Sequence, residues 1–147
     1  MKMSLERLLT EGKIESIEIN KNLIEKAIKR GEKDLQNAKI QFENNGYDWT
    51  LAIAYNTMLQ SGRALMFSKG YRPKGKYKHL AVIEFTHSEF GDKISSKMIR
   101  LFDSFRKKRN KVVYEEIDIV SKDEAKESIE FADDFLKKVK ALLKSKT

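Results

Sequence analysis

Residues 48–70 read DWTLAIAYNTMLQSGRALMFSKG. Ala52, Ile53, Tyr55, Leu59, Leu65, Met66 and Phe67 fall at spacings that cover most faces of a single helix with apolar side chains. A helix apolar nearly all round belongs at the centre of a protein, with other helices laid against it. Asp48 is expected to cap this helix and Gly70 to end it. Upstream, Ile24, Ile28, Leu35, Ala38 and Phe42 form a one-sided stripe that Asn20 or Asn22 starts and Asn44-Asn45-Gly46 stops. Before it, Leu5, Leu8 and Leu9 suggest a short leading helix ending near Gly12. Downstream, residues 70–76 (GYRPKGK) cannot continue a helix, because Pro73 disfavours helical geometry at the residue before it and glycines flank it. His79–Phe90 reads as a shorter helix that Gly91 breaks. Ile94, Met98, Leu101, Phe102 and Phe105 mark a long helix running into Arg106–Lys111, and Val112-Val113-Tyr114 either finishes it or leaves it. Ser121 and Glu124 form a capping box ahead of the stripe Ala125, Ile129, Ala132, Leu136, Val139 and Leu143. The pattern predicts an all-α fold, an antiparallel up-and-down four-helix bundle with a short extra helix between the second and third long ones. Residues 1–19 are expected to form an extension with a short helix, and residues 20–144 the bundle.

Composition narrows the function classes. The chain has 147 residues, a length for one domain. One Pro and seven Gly are too few turn residues for a β-sandwich or barrel. Cysteine is absent, which removes disulfides, thiolate metal sites and a cysteine nucleophile. The only histidines are His79 and His87, and no metal-ligand spacing accompanies them, so neither metal nor cofactor is expected. No apolar run approaches the ~20 residues needed to span a bilayer. Glu6, Arg7 and Glu11 interrupt any signal-peptide core, so a cytoplasmic protein with no membrane partner is expected.

The formal net charge of +8 is unevenly spread. From Trp49 to Ile83 there are six basic residues (Arg63, Lys69, Arg72, Lys74, Lys76 and Lys78) and no acid. Lys97–Lys111 holds seven basic residues against Asp103 alone, and Val112–Leu136 reverses the sign with nine acids. Such blocks are often plain solvated faces. Two of them meeting around one loop would make a surface that attracts phosphate through counterion release. Helical periodicity adds that Asn56 and Arg63 share the stripe of Ala52, Leu59 and Met66, and that Arg109 follows Met98, Phe102 and Phe105. An unpaired buried guanidinium costs several kcal/mol, so each arginine must snorkel, pair with a carboxylate or line a groove. For Arg109 the structural reading is an ion pair with Glu115 or Glu116. The functional reading is a planar fork held for phosphate. Tyr71 and Tyr77 interleave with the basic loop residues as base-stacking candidates, whereas Phe67 reads as core.

Residues 51–80, LAIAYNTMLQSGRALMFSKGYRPKGKYKHL, resemble the second helix and following loop of HEPN domains (higher eukaryotes and prokaryotes nucleotide-binding). Residues 106–114, RKKRNKVVY, resemble the signature at the end of that family's later core helix. The resemblance covers most of residues 20–144. It implies the same bundle, a homodimer, and often a minimal nucleotidyltransferase partner in a toxin–antitoxin pair. Many members are metal-independent endoribonucleases with an Arg-x(4–6)-His motif. Here Arg109 matches the family arginine and Tyr114 takes the histidine slot, as in a branch with Arg-x4-Tyr. Lys78 and His79 approximate that branch's Lys-x-His pattern after the loop. A tyrosine with an ordinary pKa of about 10 is a poor general base, so His79 is the candidate to supply one.

Three functions follow. The first is an RNA- or nucleotide-binding module, with Arg63, Lys69, Arg72, Lys74, Lys78, Arg106 and Asn110 as the contact set. The second is a ribonuclease using Arg109 with His79 or Tyr114. The third is a purely structural or protein-interaction bundle in which the arginines only support the fold.

Overall fold

Asn20 Oδ1 accepts a hydrogen bond from the Asn22 N–H at 2.9 Å and opens helix α2 (Lys21–Glu43). Asn44–Gly46 ends it, with Asn45 in the left-handed region at φ 61°, and helix α3 (Tyr47–Ser68) follows at once. Before them come α1 (Leu5–Thr10) and a short strand β1 (Ile14–Ser16). After them come β2 (Tyr71–Pro73), α4 (Lys78–Phe90), α5 (Ser96–Tyr114) and α6 (Lys122–Lys144). The computed structural model describes residues 2–145. Val112-Val113-Tyr114 finishes α5, and the Ser121–Glu124 capping box opens α6 with both of its hydrogen bonds formed. Among the described residues, no helix is long and apolar enough to cross a membrane.

Side-chain pairs give the helix directions. Phe42 meets Tyr47, and the Thr57 hydroxyl donates to the Gly31 carbonyl at 2.8 Å, so α2 and α3 run antiparallel. Phe102 on Phe135, Phe105 on Phe131, and Lys108 on Glu124 make α5 and α6 antiparallel as well. The result is the expected up-and-down four-helix bundle, with α4 as the short extra helix. Helix α3 is its centre and touches α2, α4, α5 and α6. Leu51, Ala54, Tyr55, Met58, Ala64, Leu65 and Met66 are fully buried. At about 25 cal/mol per Å² of apolar surface removed from water, this single element carries a large share of the stabilisation. The buried hydroxyls of Thr57, Ser61, Thr86 and Ser128 each donate to a backbone carbonyl, so they cost little.

Two features depart from the sequence reading. Asp48 does not cap α3, which starts at Tyr47 behind Gly46, two residues earlier than expected. Its carboxylate reaches across to the segment before α6 and accepts from the N–H groups of Asp118 (2.6 Å) and Val120 (3.0 Å). Asp48→Ala is expected to cost about 2 kcal/mol, within the range for hydrogen bonds to a charged group. Thermal melting checks the cost, and faster amide exchange confined to residues 115–120 checks its location.

The second departure is a two-stranded antiparallel sheet. Ile14 faces Pro73, Glu15 faces Arg72 and Ser16 faces Tyr71. Gly70 makes the turn possible at φ 84°, and a Cβ there would meet the Ile17 carbonyl oxygen at 3.1 Å. The leading residues therefore clamp the basic loop onto the bundle. Met3, Leu8 and Ile14 enter the common core, and Lys13 reaches Glu84 of α4 at 3.4 Å.

Candidate functional site

Helix α4 begins behind Gly75, whose φ of 83° turns the chain out of β2. Tyr77 at its N-cap makes no side-chain hydrogen bond to the first turn. That turn carries Lys78 and His79, and it lies against the C-terminal half of α5. Between them is a recess of about 500 Å³ lined by Lys76, Lys78, His79, Arg106, Arg109, Asn110 and Tyr114, among others. His79 and Arg109, thirty positions apart in the chain, thus line one cavity.

The Arg109 guanidinium is held by rings rather than by an acid. It lies 5.9 Å from the Tyr55 ring centroid and 5.8 Å from that of Tyr114, and its Nη1 donates to Asn110 Oδ1 at 3.3 Å. The ion pair anticipated with Glu115 or Glu116 does not form, and among the described residues no carboxylate lies within salt-bridge reach of Arg109. The reason is geometric. Glu115 and Glu116 fall beyond the last turn of α5 and are exposed, while the Arg109 guanidinium lies against the Tyr55 and Tyr114 rings. Arg106 differs, since Asp103 takes its fork at 2.8 Å. Tyr114, in the histidine slot, is 74% exposed and packs against the arginine.

His79 sits at the junction of these groups. Its Nδ1 is 3.3 Å from the hydroxyl of Tyr55, a fully buried residue. Burial pushes the Tyr55 phenol far above the ordinary tyrosine range, so it keeps its proton. With Nδ1 turned to that phenol, Nε2 is the nitrogen left for a ligand. Desolvation first, then the charges of Arg109, Arg106 and Arg63, lower the His79 pKa below its ordinary 6.5. In the unfolded chain this histidine takes up its proton at higher pH than in the folded one. Its contribution to stability is therefore complete above pH 6.5 and is lost as pH falls through the folded-state pKa. The Cε1–H resonance of His79 is expected to titrate below pH 6.5 in the free protein. A midpoint at or above that value would contradict the described environment.

The other anticipated residues divide. Arg63, Arg72, Lys74 and Lys78 line a second recess beside the first, so Arg63 and Arg109 do not converge on one cavity. Glu15 on β1 binds Arg72 and Lys74, at 2.5 and 3.6 Å. Lys69 lines neither recess, and its ammonium lies over the Phe90 ring at 5.5 Å. The sequence reading gave no role to Tyr55 or Glu15. Tyr55 sits on an apolar helix where a core role suffices, and Glu15 reaches the site only through the strand pairing.

The chain is thus a small antiparallel helical bundle with a short helix inserted before α5 and a cationic recess between that helix and the end of α5. The family model of the HEPN domain matches residues 24–142, and the chain belongs to that family, one of nucleotide- and RNA-binding or ribonuclease-like domains. No curated protein matches the chain.

Proposed function

We propose that this HEPN protein binds phosphate groups of RNA or a nucleotide in the Arg109–His79 recess. It does so as a cytoplasmic homodimer, paired with a minimal nucleotidyltransferase in a toxin–antitoxin system. The observation that carries the reading is Arg109 itself, a guanidinium with no carboxylate partner among the described residues, fixed by two rings in a cavity with Lys76, Lys78 and His79. A planar fork of donors held open in this way suits an oxyanion better than any internal role. Tyr77 and Tyr114 of the recess lining are largely exposed, which supports a second chain covering its rim.

RNA affinity is expected to fall steeply as salt is raised, because each neutralised phosphate releases counterions. Binding indifferent to salt contradicts the reading. Light scattering is expected to give twice the 17.1 kDa chain mass, and a 17.1 kDa species contradicts the dimer. Co-expression with a nucleotidyltransferase encoded next to it is expected to yield a complex that survives gel filtration.

The Tyr55–His79 hydrogen bond favours a second reading, a metal-independent ribonuclease. If Nδ1–H donates to the phenol oxygen, Nε2 is free to accept the proton of a ribose 2′-hydroxyl, while Arg109 meets the charge that develops on phosphorus. If the phenol donates to Nδ1, Nε2 carries hydrogen and serves only to bind. Nitrogen-15 shifts of His79 distinguish the tautomers, and RNA cleavage in EDTA above an Arg109→Ala control distinguishes the functions.

A further inference from the structure

The recess next to that of Arg109 measures about 450 Å³ and lies on the other side of His79. Its lining includes Arg63 of α3, Arg72 and Lys74 of the loop, Lys78 of α4 and Glu15 of β1. The two recesses share Gly75, Lys78 and His79, so they abut at the first turn of α4.

Arg63 is the member without an internal explanation. Its Nε is buried and has no hydrogen-bond partner. Among the described residues no carboxylate pairs with it, and its only stacking partner is the Phe67 ring at 5.6 Å. A polar group taken from water and left unpaired destabilises the fold, the more so when it is charged. That cost falls beside a cavity already lined by three other cations. The recess also carries an anion of its own. The Glu15 carboxylate binds Arg72 and Lys74, and the Arg72 hydrogen bond holds its carboxyl below the ordinary range. It forms no pair with Arg63.

We infer that the Arg63 recess is a second phosphate subsite. It takes the neighbouring phosphate of a single strand whose first phosphate lies against Arg109, and Glu15 is the internal anion that this phosphate displaces from Arg72 and Lys74. The inference rests on the proposed function of the Arg109 recess and narrows its ligand class. The site is built for consecutive phosphodiesters, with Lys78 facing both, so a strand is held by contacts that a mononucleotide cannot make.

The probes are 2′-O-methyl hexaadenylate, whose blocked 2′-oxygen prevents cleavage, and AMP as the one-phosphate control. Arg63→Met keeps an unbranched apolar stem over Phe67 and removes the fork. It is expected to weaken the hexanucleotide about tenfold, the loss of one charge-assisted contact. It also lowers the slope of log affinity against log salt by about 0.7, the value for one single-strand phosphate. AMP binding stays unchanged. Glu15→Gln acts in the opposite sense: it tightens the hexanucleotide and leaves AMP unchanged. Hexanucleotide affinity unchanged in both variants overturns the inference. So does an equal loss of both probes in Arg63→Met with no gain in Glu15→Gln. Should Arg63→Met fail to fold, Glu15→Gln decides alone, and no gain overturns the inference. Arg109→Ala separates the two levels. Strand binding lost there but untouched in Arg63→Met and Glu15→Gln removes the second subsite and keeps the proposed function. Strand binding untouched in Arg109→Ala removes both.

Discussion

Arg109→Ala is expected to weaken RNA binding by roughly ten- to hundredfold, the equivalent of about 1.5–3 kcal/mol for a hydrogen-bonded charged contact. The size follows from what Arg109 does not do. Among the described residues its guanidinium pairs with no carboxylate, and its one side-chain hydrogen bond there goes to Asn110, so most of its donors remain available. Arg106→Ala provides the comparison. That side chain lines the same recess, but its fork is committed to Asp103, and a smaller loss is expected. Anisotropy titrations of a labelled single strand at fixed salt measure both variants. A loss in Arg106→Ala that equals or exceeds the loss in Arg109→Ala would assign the binding to the general field of the basic block, not to a held fork.

The second large effect concerns the scaffold. Gly62 of α3 lies where α4 crosses it. A Cβ added there would sit 2.5 Å from Val82 Cγ1 and 3.4 Å from the Phe102 ring. Valine has few rotamers with which to yield, and the Phe102 ring is fully buried behind it. Gly62→Val must therefore push α4 away from α3. Overpacking of this kind costs about 3 kcal/mol at the upper end of its usual range, or roughly 10 °C in Tm at this chain length. Because α4 carries Lys78 and His79, RNA affinity is expected to fall with it. Gly62→Ala adds the first carbon alone and is expected to cost less than half as much. A Gly62→Val protein that melts like the wild type would show that α4 tolerates displacement, and that the recess is not fixed by its packing.

The bundle was readable because its signals are local. Asn20, Asn44-Asn45-Gly46 and the Ser121–Glu124 box act within a turn of where they stand, and all three mark helix ends in the structure. The all-round apolar character of residues 49–68 announced the central helix, although Trp49 at its start is 60% exposed. The strand pairing was not readable. Ile14–Ser16 and Tyr71–Pro73 are three residues each, too short for alternation to register, and their pairing depends on the fold that brings them together. Asp48 looked like a cap because its position beside a helix start is typical of one. Only the tertiary fold offers it the N–H groups of Asp118 and Val120 instead.

The site divides in the same way. Arg109, Tyr114 and Asn110 were legible because they lie within six positions on one helix. Whether His79 joins them depended on how α4 sits against α5, which no spacing encodes. Arg63 was noticed as an arginine on an apolar stripe, and its separate recess follows from the Lys78–His79 ridge between it and Arg109. Lys69 belonged to the same basic block by sequence, but it follows the last turn of α3 and lies over Phe90, outside both recesses.

The central claim is that an anion occupies the cavity shared by Arg109 and His79. A bound phosphate would favour the charged imidazole and raise its pKa, and by linkage would bind more tightly as pH falls. The direct measurement is the NMR titration of His79 with and without saturating AMP, in the wild type and in Arg109→Ala. The account predicts a midpoint below 6.5 in the free protein that moves upward with AMP, and no upward movement in the variant. A His79 midpoint that AMP leaves unmoved in the wild type would contradict it.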